Sequence, residues 1–174
     1  MSAAPAVLTN VELLRRVRDD LKALLSDAPT RGYLSVAGTL RRALEMLATP
    51  PQGLFVVLLW DGERNVGTSP LSGVVEHTWS VFVSQTAELN ITPDKEVLDV
   101  TGPGNKPSLL DRVNVVRDRI RSLLFPEDIS SSYVSYVGGS QVFDSQEAPL
   151  NSFRLQFALQ SALPEVAYRD AYAE

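Results

Sequence analysis

The chain has no cysteine and only one histidine in 174 residues. Without thiols it forms no disulfide and no thiolate zinc centre. One imidazole per chain excludes a multi-histidine metal site. A metal would need an all-oxygen site, and the carboxylates show no regular spacing that suggests one. No stretch of eighteen apolar residues occurs, so the sequence encodes no membrane span. The first ten residues, "MSAAPAVLTN", lack the basic region and apolar run of a signal peptide. These absences predict a soluble protein made in a cytoplasm, with no cofactor and no metal.

What is present is globular composition. Hydrophobic residues make up 44% and charged residues 21%, and the length suits one domain with a real core. The net charge of -5 is unevenly spread. Residues 1–50 carry seven Lys/Arg against five Asp/Glu, and residues 102–125 carry five against two. Residues 51–101 and 126–174 each carry two against seven. The segments that read as helical are mildly basic, and those that read as strand are acidic. That is not the basic footprint of a chain that grips nucleic acid.

Apolar spacing marks the elements. Thr9 and Glu12 form a capping-box pattern ahead of Leu13, Leu14, Val17, Leu21, Leu24 and Leu25 at helical intervals. A second helix is predicted over 36–48, with Val36, Leu40, Leu44 and Leu47 as its stripe. "GLFVVLLWDG", 53–62, is a continuous apolar run and predicts a central strand or one covered on both faces. "VVEHTWSVFVSQ", from Val74, alternates and predicts a strand pairing with it as a hairpin. A long irregular segment, 87–107, follows. A third helix runs from about Ser108 to Phe125, with Ser108 and Asp111 as capping residues and Leu109, Leu110, Val113, Val116, Ile120 and Leu123 as its stripe. Two more strands follow: "YVSYVGGSQVF", whose Gly138-Gly139 suggests a bulge or turn, and "FRLQFALQ". In the last, Phe153, Leu155, Phe157 and Leu159 face in while Arg154, Gln156 and Gln160 face water. The pattern predicts an α+β fold: a mostly antiparallel sheet of four or more strands, in two hairpins, packed against two or three helices. Residues 1–161 form one domain. Residues 162–174, with a proline and two spaced tyrosines, form a tail suited to docking onto a neighbour.

Few residues offer chemistry. Glu76 and His77 are the only acid–base pair in view, but neighbours on a strand point to opposite faces, and no G-x-S-x-G motif supplies a nucleophile. "TGPGNKPS" has the glycines, Lys106 and Ser108 of a phosphate loop, but Pro107 separates the lysine from the serine and each proline removes an N–H donor. A rigid turn into a capped helix is the preferred reading. Arg112, Arg117, Arg119 and Arg121 read as a solvated helix face or a protein contact. The expectation is a non-enzymatic protein, with Arg112, Arg119, Glu165, Tyr168, Arg169 and Tyr172 as interface candidates.

The helix "TNVELLRRVRDDLKALL", the hairpin "GLFVVLLWDG…VVEHTWSVFVSQ", the helix "PSLLDRVNVVRDRIRSLL" and the closing pair "YVSYVGGSQVF…SFRLQFALQ" together resemble the tail terminator (tail completion) proteins of long-tailed bacteriophages. The likeness covers most of the chain and rests on pattern rather than on one motif, and the helix at 36–48 is an addition to it. It implies a homo-hexameric ring at the top of the tail tube that ends tube polymerisation and joins the tail to the head–neck connector. The implied partners are other copies of the chain, the tail tube protein, a connector or neck protein and a sheath protein, with DNA passing through the lumen unbound. The implied location is the virion, at the tail–neck junction, after assembly in the host cytoplasm. The alternatives are another neck or tube-like subunit and, further off, a small enzyme using Glu76 and His77.

Overall fold

The computed structural model describes residues 10–27, 31–48, 53–66, 74–86, 107–123, 135–142 and 150–162. They form three helices, α1 (Asn10–Ser26), α2 (Leu40–Ala48) and α3 (Leu109–Arg121), and five strands: β1 (Gly32–Ala37), β2 (Leu54–Asn65), β3 (Val74–Thr86), β4 (Ser135–Val142) and β5 (Leu150–Ala162). The strands make one sheet in the order β1-β2-β3-β5-β4, with β1 parallel to β2 and the other pairs antiparallel. This is the predicted α+β architecture. The Thr9 cap, the loop up to Lys106 and the tail beyond Ala162 lie outside the described residues.

The apolar run predicted as a central strand is β2, and all six residues from Leu54 to Leu59 are buried. Its alternate residues feed two separate cores. Leu54, Val56 and Leu58 pack with Val17, Leu21 and Leu25 of α1 and Leu109, Val113, Val116 and Ile120 of α3. Phe55, Val57 and Leu59 pack with Ala43 and Leu47 of α2. Each fully buried Val, Leu or Phe contributes about 1.5–3 kcal/mol, so neither face of β2 is dispensable.

The predicted helix over 36–48 is corrected. Val36 belongs to β1, and α2 starts four residues later. Its start is set by Thr39, whose side chain accepts from the Arg42 N–H at 3.2 Å. The stripe is also different: Ala43 and Leu47 are buried, while Leu40 and Leu44 are exposed. A β1–α2–β2 crossover makes the parallel pair, which needs a covering element between its strands. The predicted capping box at Ser108 and Asp111 is present, with both reciprocal bonds formed.

On the first face an aromatic row crosses four strands. Trp60 pairs with Trp79, Trp79 with Phe157, and Phe157 with Tyr136. The Tyr136 and Phe157 rings lie 5.6 Å apart, and the Arg117 guanidinium from α3 sits 5.9 Å from the centre of the Tyr136 ring. Such pairs add about 0.5–1.5 kcal/mol beyond the area they bury. α1 and α3 are also clasped directly, since Arg119 donates two bonds to the Asp20 carboxylate at 2.6 and 2.7 Å.

Gly32 is where β1 comes closest to β2. A Cβ built there would lie 2.6 Å from the Leu54 carbonyl oxygen and 2.9 Å from the Leu54 Cβ. Gly32→Ala therefore forces the two backbones apart. The expected loss is about 1–3 kcal/mol, the usual cost of an overpacked methyl, read as a lower denaturation midpoint with an unchanged m-value.

Candidate functional site

The structure does not bring Glu76 and His77 together. The register puts His77 on the first face with Trp79 and Glu76 on the second with Ser80, as alternation requires. Each has a partner from β2 instead. Glu76 binds Arg64 at 2.7 Å, and His77 Nδ1 lies 3.4 Å from Glu63 Oε2.

A bulge decides these partners. The β2–β3 register shifts between Trp60 and Gly62, and Gly62 adopts φ +132°, a conformation that suits glycine. The extra residue, Asp61, reaches the second face and accepts from the Ser80 hydroxyl. Past the bulge every side chain of β2 changes face, which sets Glu63 beside His77 and Arg64 beside Glu76. Arg154 of β5 completes the cluster, donating to Ser80 Oγ at 2.8 Å and to Asp61 at 3.3 Å, with its guanidinium 5.7 Å from the Phe82 ring centre. Nearby, Ser152 donates to Ser84 at 2.9 Å. The sequence reading expected this face of β5 to be wet. Ser152 and Ala158 are buried there and Arg154 is half-buried, because serines of β3 and Asp61 supply the partners that a buried arginine needs.

The arginines of α3 do not form one solvated face. Arg112 is 7% exposed, since it sits beside Val113 and Leu109 on the side of α3 turned to the sheet. Arg119 is engaged by Asp20, and that hydrogen bond raises its pKa further above the ordinary range. Of the other interface candidates, Glu165, Tyr168, Arg169 and Tyr172 lie outside the described residues. So does Lys106, whereas Ser108 serves as the helix cap.

What the sequence reading missed is where exposed apolar side chains gather. Tyr33, Val36, Leu40 and Leu44 are exposed at the β1–α2 end of the sheet, and Tyr136 and Val137 at the β4 end. Tyr33 is 57% and Val137 60% exposed. Val137 is turned out by a second bulge, between Tyr136 and Gly138, near the predicted Gly138-Gly139 break. Edge strands that present apolar side chains invite pairing with another chain. Beside β1, between it and α1, runs a groove of about 510 Å³.

Among the described residues no group of three His, Cys, Asp or Glu could hold a metal, and no helix is long and apolar enough to cross a membrane. No protein-family model matches the chain. A search of curated proteins finds no significant match either.

His77 supplies a pH test. It is 2% exposed, and burial lowers its pKa below the ordinary 6.5, with Glu63 pulling the other way. A depressed imidazole pKa means that the unfolded chain takes up the proton first. Stability is therefore full above about pH 6.5 and falls as the pH drops through it, by at most about 1.4 kcal/mol per pH unit. Denaturation curves between about pH 7.5 and 5 should show this fall in the wild type and a flatter profile in His77→Gln.

Proposed function

We propose that this chain is a structural, ring-forming subunit of a phage tail: a tail terminator that caps the tube and joins it to the head–neck connector. The observation that carries the reading is that, among the described residues, the sheet ends in two unlike apolar edges, Tyr33, Val36, Leu40 and Leu44 at one end and Tyr136 and Val137 at the other. A closed ring needs each subunit to present two different complementary patches, because identical patches facing each other stop at a dimer. The sequence likeness to tail terminators supplies the biological setting. The negative balance of the chain suits a lumen through which DNA slides, since a basic wall would hold phosphates.

The geometry lends nothing to the enzyme reading. Glu76 and His77 are on opposite faces, and each is occupied by a structural partner. A neck or tube-like subunit would share the two-edge design, and the assembly role separates them. Mixed with polymerising tail tube subunits, a terminator shortens and caps the tubes, seen as a narrowed length distribution in electron micrographs. Tubes that lengthen, or lengths that do not change, contradict the proposal. Val36→Lys or Val137→Lys should abolish capping while leaving the thermal transition within a few degrees of wild type, because both side chains are exposed.

A further inference from the structure

The groove beside β1 has the features of a strand acceptor. It is lined by Arg18, Asp19 and Lys22 of α1 and by Tyr33 and Val36 of β1, together with Leu25 and Leu34. Tyr33 and Val36 are exposed, and among the described residues β1 pairs only with β2. An extended segment laid there gains main-chain hydrogen bonds from the strand edge and pockets for alternate side chains.

We infer that the occupant is residues 163–174 of a second copy of this chain. The segment "LPEVAYRDAYAE" carries Glu165, Asp170 and Glu174 against Arg169. On the rim Arg18 is paired with Asp19 at 2.7 Å, so Lys22 is the charge that an acidic segment meets. Val166, Tyr168 and Tyr172 fall on one side when it is extended, matching an apolar floor. Geometry keeps the chain's own Tyr168 away from Tyr33. Tyr33 pairs with Phe55, ten residues before Asn65, and Ala162 pairs with Val74 at the far end of the sheet. The offset is about 33 Å along the strands and about 14 Å across three strand spacings. Tyr168, six residues beyond Ala162, extends at most about 21 Å. It meets Tyr33 only across a subunit boundary. The inference rests on the ring reading only in that the donor is another copy.

The absence of native cysteine makes the test direct. Tyr33→Cys and Tyr168→Cys chains are mixed and oxidised, and each is also oxidised alone. A disulfide-linked dimer found only in the mixture supports the inference, as does loss of that dimer in Lys22→Glu and its return when Glu165→Lys is added. No dimer in the mixture, or an internal cross-link in a chain bearing both substitutions, overturns it. Imaging untreated wild-type chain separates the two readings: ring particles without the cross-link refute the tail–groove contact alone, whereas monomers without rings refute the ring.

Discussion

Strand β2 lies between apolar layers on both of its faces, and the other elements are arranged around that constraint. Six consecutive buried residues cannot be satisfied by a sheet with one wet face. α1 and α3 cover one side, and α2, inserted through the β1–α2–β2 crossover, covers the other. The crossover makes β1 parallel to β2 and leaves it at an edge. On the other side β3 and β5 extend the sheet to β4, its last strand among the described residues. A fold centred on one strand in this way finishes in two edges of different origin, one backed by helices and one by a bulged hairpin strand.

The polar interior follows from the bulge at Asp61. By adding one residue, β2 places a carboxylate where Ser80 and Arg154 converge, and it turns Glu63 and Arg64 toward His77 and Glu76. Ser80, Asp61 and Arg154 thereby satisfy one another, which is what makes a half-buried arginine tolerable on a sheet. They join β2, β3 and β5 on the same face of the sheet that α2 covers at Phe55, Val57 and Leu59. The cluster ties the three strands together through side chains.

Much of this was legible in the sequence. The apolar run of β2, the alternation of β3, the inward face of β5, the stripes of α1 and α3, and the Ser108–Asp111 cap are local patterns, and they fold as read. The β1–α2 boundary was not, because "YLSVAGTLRRALEML" supports helical spacing from Val36 onward. The competing signals, Gly38 and the Thr39 cap, are only two residues long. The partners of Glu76 and His77 were hidden for a different reason. They depend on a one-residue slip that no periodicity announces. The burial of Arg112 was hidden too, since charge alone suggests a wet face. The exposed edges could not be seen at all, because exposure of Tyr33 or Val137 depends on strand order, which is a non-local property.

In the proposed account, function lies in those two ends and not in any constellation of side chains inside the domain. A subunit with unlike edges associates head to tail, and a ring results when the rotation between neighbours closes. Native mass spectrometry of the purified chain tests this most directly. The account predicts one dominant closed oligomer larger than a dimer, lost when Val36 or Val137 is changed to lysine. A monomer, or a dimer that does not grow with concentration, would contradict it.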